Sequence, residues 1–225
     1  MFEYTKAEVA QKANEMNFVR DTLEKVLRLM DILKYLNLNP LTKEYLVLKG
    51  GTAINLTVFN LPRLSVDIDL DFARNLSREE MMSTRGQIRD NIKVYMYTQG
   101  YEFSSRSKAY HSLDSFVFTY MNLGGVKDNI KIEINYSLRE HIFNPEMRSV
   151  SVTGIAENEL INTLPPIELF AAKINALIGR AAARDLYDIY NLIKLYNLIL
   201  TILFNNTLSF YYYLFLHQYH QQYHY

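Results

Sequence analysis

The chain has 225 residues, 49% of them hydrophobic, which is enough to bury a core in one large domain or two small ones. Lys and Arg total 24 and Asp and Glu total 24, so the overall charge carries no signature of a basic polyanion-binding domain, although a local basic patch is compatible with that balance. Cysteine is absent, which excludes disulfides, thiolate metal sites and a cysteine nucleophile, and fits a reducing cytoplasm.

The first 18 residues mix charges with scattered apolar side chains and lack the basic-then-apolar order of a signal peptide, so export is not expected. Between Met16 and Leu36, Val19, Leu23, Val26, Leu27, Met30 and Leu33 recur at helical spacing, and Pro40 is expected to close that helix. "YLVL" (45–48) is a strand candidate, Gly50-Gly51 a turn, and "TAINLTVF" a short helix beginning at Thr52. "SVDIDLDF" (65–72) alternates strictly. Val66, Ile68, Leu70 and Phe72 share one face of the strand, and Asp67, Asp69 and Asp71 the other. Ser77 and Glu80 form a capping-box pattern for a helix running to about Thr98, with Gly100 as its stop. Arg78, Arg85, Arg89 and Lys93 form a modest basic cluster on that helix, read equally as a solvated face.

"YEFSSRS" (101–107), "SFVFTYMNL" (115–123) and "NIKIEINYS" (129–137) are strand-like, the last two joined as a hairpin through Gly124-Gly125. In the third, Ile130, Ile132 and Ile134 oppose Lys131, Glu133 and Asn135. "MRSVSVTG" adds a last strand, and Pro165-Pro166 open a helix-rich part whose centre is "IELFAAKINALIGRAAARDLYDIYNLIKLYN". The reading is α+β, with a mixed-sheet domain over 1–155 and a helical lobe over 156–225. From Leu195 onward the 31 residues hold no Asp, Glu, Lys or Arg. Asn197, Asn205, Asn206, Thr207 and Ser209 interrupt this aromatic tail, so no membrane span is expected. His217, His220 and His224 could share a helix face, but no carboxylate or Cys stands near to complete a metal site.

Carboxylates at i and i+2 of a strand project from the same face, close enough to bind one divalent cation or a pair about 4 Å apart, the arrangement used in phosphoryl and nucleotidyl transfer. Asp67 and Asp69 are the candidate metal ligands, with Glu133 as a third ligand or general base. Mg²⁺, or Mn²⁺ in its place, suits such hard oxygen donors. The Gly50-Gly51-Thr52 turn adds an anion cradle: glycines let backbone approach a phosphate, helix-start N–H groups point at it, and the Thr52 hydroxyl can donate to it. Asp71 lies one pleat further along and is read as solvated. Taken singly, the glycine pair is an ordinary turn and the aspartate strand an ordinary solvated face. Their order carries the reading: glycine turn, short helix, DxD strand, later strand with one acidic residue.

That order resembles the nucleotidyltransferase superfamily of the DNA polymerase beta type. Within it "KGGTAINL", "PRLSVDIDLDF" and "KINALIGRAAARDLYDIY", spanning 49 to 190, resemble the AbiEii and MenT-like toxin nucleotidyltransferases. The resemblance does not extend past 194. It implies transfer of an NMP from an NTP to an acceptor hydroxyl, with tRNA 3′ ends among the acceptors; a protein is kept as the other candidate acceptor, and the motif set is also compatible with phosphoryl transfer at the γ-phosphate. It also implies a cognate antitoxin partner; that no membrane is involved rests on the composition of the tail. Lys173 matches the family lysine expected on the triphosphate, Asp185 or Asp188 the essential aspartate of "RDLYD", and Arg63 and Ser65 the Arg-x-Ser before the DxD strand, where the arginine either steadies the nucleotide or pairs with an Asp. Were 166–194 one helix, Arg180, Arg184 and Asp188 would lie within about 60° of Lys173, and Asp185 further round; a break at Gly179 would undo this preference for Asp188. The rival reading is a non-catalytic nucleotide- or partner-binding module on a degenerate form of the same fold.

Overall fold

The computed structural model describes residues 2–59, 65–152 and 156–196. Arg63, the three histidines of the tail and nearly all of the uncharged segment lie outside these residues. The chain divides into two units, 1–165 and 166–225.

The first unit opens with a helix for which the 1–18 stretch had given no expectation, α1 (Lys6–Glu15). Thr5 and Glu8 close a reciprocal capping box at its start, and Asn17, at φ 59°, ends it. Helix α2 (Arg20–Leu38) buries Leu23, Val26, Leu27, Met30 and Leu33 of the stripe read from the sequence, while Val19 stands before the helix as its exposed N-cap. Pro40 does more than stop it. Asn39 accepts hydrogen bonds from the N–H groups of Leu41 and Thr42, so Pro40 sits at the first position of a new helix, α3 (Pro40–Tyr45). Strand β1 (Leu46–Lys49), helix α4 (Gly50–Thr57) and strand β2 (Asp67–Phe72) follow, then α5 (Arg78–Thr98), capped by Ser77 and Glu80 as its sequence pattern predicts.

"YEFSSRS" contributes only a two-residue strand, β3 (Glu102–Phe103), and an equally short β4 (Lys108–Ala109) precedes the long hairpin of β5 (Leu113–Met121) and β6 (Lys127–Asn135). Strands β7 (Glu146–Val152) and β8 (Ala156–Thr163) complete a mixed sheet of order β3-β5-β6-β2-β1-β8-β7, with β4 on β5. Strand β8 pairs parallel with β1, so the sheet continues past the expected boundary at 155, and the division falls instead at Pro165 and Pro166.

The pairing sets two unlike faces. Strand β2 runs parallel to β6, a connection that needs a long crossover, here α5 and β3 to β5. Ile68, Leu70, Phe72, Ile130, Ile132 and Ile134 are all buried on one face. Helices cover that face. From α5, Arg85 forks onto Asp114 of β5 at 2.7 and 3.1 Å and donates to the carbonyls of Tyr110 and His111. From α2, buried Glu24 accepts from the backbone N–H of Leu123 in the β5–β6 turn and from Arg28, whose guanidinium lies 4.3 Å over the Tyr120 ring. Tyr35 and Tyr95 stack 3.7 Å apart where α2 meets α5. These contacts dissolve the basic cluster expected on α5, since Arg85 is buried and Lys93 lies over the ring of Phe103.

The second unit, in its described part, is a helix pair, α6 (Pro166–Arg180) and α7 (Ala183–Tyr196). Among the described residues no helix is long and apolar enough to cross a membrane.

Candidate functional site

The acidic face of the sheet is assembled by register. Lys49 of β1 stands opposite Asp69, and β6 places Lys131 opposite Asp67, Glu133 opposite Asp69 and Asn135 opposite Asp71. Residues 64 positions apart in the chain thus meet on neighbouring strands, with Cα atoms about 5 Å apart.

Gly50 follows Lys49 directly. Its φ of +73° lies in the left-handed region, and a Cβ built there would fall 2.5 Å from Oδ2 of Asp69. The first glycine of the turn therefore makes room for a carboxylate of the protein itself. Gly51 continues into α4, whose N-terminus carries no side-chain cap. That leaves the helix start as the cradle side of the site. The Thr52 hydroxyl departs from expectation: it is buried and donates to the main-chain carbonyl of Asp67 at 2.5 Å, tying α4 to β2 and fixing the first aspartate. Ser65, partly exposed, lies two residues before β2, and Arg63 belongs to the segment outside the described residues.

Asp67 and Asp69 are half-buried; Asp71 is fully buried. Strand β2 runs from an open end to a covered one, where fully buried Val47 pairs with Asp71. The reading of Asp71 as solvated is corrected accordingly. It forms an ion pair with Lys49, and His141, in the loop after β6, sits with Nε2 4.0 Å from its Oδ2. Burial raises the Asp69 pKa above the ordinary carboxylate range, and the negative charges of Asp67 and Glu133 push it further; Lys49 and Lys131 pull it back only in part. Glu133 is paired with Lys131 at 2.9 Å. Among the described residues no three acidic or histidine side chains are already gathered as a metal cage. The donors nonetheless fit a hard divalent cation. They are all oxygens, and Asp69 is held under repulsion that a cation at Asp67 and Asp69 would relieve, with Glu133 available once it turns from Lys131.

Lys173, Asp185 and Asp188 form a separate cluster within the helix pair. The chain does not run as one helix through 166–194. It turns at Ala181, whose φ is 48°, and Gly179 stays inside α6. The turn brings both aspartates to the same lysine: Lys173 Nζ lies 2.9 Å from Asp185 and 3.0 Å from Asp188, all three side chains being buried. The single-helix preference for Asp188 over Asp185 fails for this reason. Arg180 donates to Asp185 through Nε at 2.7 Å and Nη2 at 3.0 Å. That hydrogen bonding is the main reason the Asp185 carboxyl stays well below the usual carboxylate range; burial opposes it and Lys173 adds to it.

Lys49, Lys131 and His141 escaped the sequence reading. Lys49 was within view, next to the glycine pair, and Lys131 stood two positions before Glu133; only the strand register sets Lys49 opposite Asp69 and Lys131 opposite Asp67. Nothing in the sequence near His141 points to Asp71.

No curated protein matches the sequence. Among solved structures, JHP933 from Helicobacter pylori aligns over 78% of this chain and 67% of its own at 21% identity, with a TM-score of 0.53. MenT4, a nucleotidyltransferase toxin from Mycobacterium tuberculosis H37Rv, aligns over 85% of this chain at 20% identity and a TM-score of 0.57. The chain spans 65% of the MenT4 length. These likenesses establish the nucleotidyltransferase-like α+β fold. The family model described as the AbiEii nucleotidyl transferase toxin of type IV toxin–antitoxin systems matches residues 31–213, and the chain belongs to that family.

Proposed function

We propose that this protein transfers an NMP from an NTP to an acceptor hydroxyl, on the 3′ end of a tRNA or on a protein, as the toxin of a toxin–antitoxin pair: the hydroxyl oxygen bonds to the α-phosphorus, the bond from that phosphorus to the β-phosphate breaks, and pyrophosphate leaves. The observation that carries the reading is the strand register: Asp67, Asp69 and Glu133 share one face of the sheet, beside a glycine turn whose helix start has no side-chain cap. Nucleotidyltransferases of the family generally use an NTP and a divalent metal.

The residues divide the work by chemistry. Asp67 and Asp69 would hold Mg²⁺ or Mn²⁺, and such an ion, when bound, supplies positive charge for the triphosphate. The backbone N–H groups of Gly50 and Gly51 point along the start of α4 and suit a phosphate oxygen. Asp69 is positioned by its seat over Gly50, and Asp67 by the Thr52 hydroxyl on its carbonyl. Glu133, beside Asp69, accepts a proton from the acceptor hydroxyl if released from Lys131, or serves as a third ligand. Arg63 and Ser65 precede β2 and are assigned to the nucleotide. A triphosphate contact by Lys173, with Asp185 or Asp188 as its catalytic partner, requires the ammonium to leave at least one of the two buried carboxylates that now hold it. An antitoxin follows from the type IV family and a cytoplasmic location from the NTP requirement.

The test is direct. Incubation with Mg²⁺, each labelled NTP in turn, and total tRNA or total cell protein yields label on one acceptor class with the wild type and none with Asp69→Ala. Identical labelling by the two proteins, or none by either across all nucleotides, overturns the proposal.

A further inference from the structure

The third aspartate of the DxDxD strand has no place in the scheme above, yet it is the one most completely enclosed. Lys49 faces a choice. Its register partner is Asp69, and two residues along the same strand face, about 7 Å away, lies Asp71. The ammonium goes to Asp71. Among the described residues Asp69 enters no ion pair within 4.0 Å, although Lys49 is near enough to be felt electrostatically. The preference has a physical reason. Asp71 is sealed under Val47 and the loop bearing His141, where an ionised carboxylate needs a partner far more than the half-exposed Asp69 does.

We propose that Asp71 is a positioning residue that retains the Lys49 ammonium at the covered end of β2 and so keeps the Asp67–Asp69 end clear for a divalent cation. The inference rests on the nucleotidyltransferase reading of that site. Without a charge on Asp71, the nearest acidic partner left to Lys49 on that strand face is Asp69, and an ammonium seated there competes directly with the metal. Lys49 is thus an inhibitor of the site in one position and harmless in the other, and Asp71 selects between them.

Mn²⁺ binding to the full chain, followed by electron paramagnetic resonance of the free ion, reads the effect without reference to turnover. Asp71→Asn, isosteric but uncharged, weakens Mn²⁺ binding about tenfold or more, within the range for an outer partner of a metal ligand. Adding Lys49→Met to Asp71→Asn restores binding to near the wild-type value, because the competing ammonium is gone. Removing both charges together takes away the Lys49–Asp71 pair as a unit and strands neither partner of it, so of the two variants the double one is expected to fold better, as checked by circular dichroism and thermal melting. Unaltered Mn²⁺ affinity in folded Asp71→Asn overturns the inference, as does a folded double variant that binds no better than Asp71→Asn or, should that single variant not fold, more weakly than the wild type. If Asp69→Asn loses Mn²⁺ while Asp71→Asn keeps it, the positioning role alone fails. A wild type that binds no Mn²⁺ removes this inference and the metal site together.

Discussion

Two acidic clusters of similar composition sit in the two units of this protein, and their electrostatics are opposite. On the sheet, Asp67, Asp69 and Glu133 crowd one another, and burial with like charges raises the Asp69 pKa. In the helix pair, Asp185 and Asp188 share the Lys173 ammonium, Arg180 clamps Asp185, and the Asp185 pKa is driven down. The first cluster is short of positive charge and the second is balanced. A carboxylate group that still lacks a cation is suited to binding one; a neutralised group already contributes to holding the fold.

The largest expected effect tests the sheet cluster. Asp69→Asn preserves shape but removes the charge, and should reduce label transfer by about 100-fold or more while leaving the melting temperature equal to or above that of the wild type. A large loss of stability would show that Asp69 is instead a structural ion. The matched change in the helix pair is Lys173→Met, which removes the ammonium shared by two buried carboxylates and leaves Arg180 on Asp185. It should cost about 3 kcal/mol in a urea melt, the lower end for a broken buried pair because Arg180 still neutralises Asp185. A variant as stable as wild type would place Lys173 in catalysis alone.

Gly50→Ala probes the seat of Asp69. The left-handed backbone alone costs about 1–2 kcal/mol with a Cβ present, and the overlap with Oδ2 forces the carboxylate to move. Metal affinity and activity should therefore fall together, beyond what the melting temperature accounts for. Ala181→Gly is the milder counterpart. Relief of the left-handed conformation should raise stability by about 0.5–1 kcal/mol, and any loss would mean that the alanine methyl is packed.

The pH response separates the clusters again. A depressed carboxyl pKa contributes stability that is present above the unfolded carboxylate pKa and is lost as pH falls through the folded value, so the Asp185 cluster should resist acid until well below the ordinary carboxylate range. Asp69 has the opposite sign. Its ionised form is a burden on the folded state, removed by protonation as pH falls through its raised pKa or by a bound cation. Mg²⁺ should therefore raise the melting temperature more at neutral than at mildly acidic pH, and not at all in Asp69→Asn.

Much of this was legible because it is local. Alternation in "SVDIDLDF" and "NIKIEIN" predicts two strands with acidic and basic residues on one face, the Ser77–Glu80 pattern predicts α5, and the glycine pair predicts the turn. Other features misled because a nonlocal contact outweighed a local preference. Ala181-Ala182 lies in a run of three alanines with strong helix propensity, yet the chain turns there, and the turn joins Asp185 and Asp188 to Lys173. Thr52 looked like a phosphate donor until its hydroxyl was found on the Asp67 carbonyl. Strand β8 lies beyond the expected end of the domain because its partner, β1, is more than a hundred residues earlier.

The sequence by itself determined which residue types the site would hold and which strands would carry them, since side-chain alternation and turn chemistry act over a few neighbouring positions. Tertiary structure alone decided which charges meet. Strand register set Glu133 and Lys49 beside Asp69, enclosure turned Asp71 from a solvated carboxylate into the partner of Lys49, and a two-residue break made one ion cluster of Lys173, Asp185 and Asp188. Coulomb interactions depend on distance and solvent exposure, and neither is written in a linear order of residues.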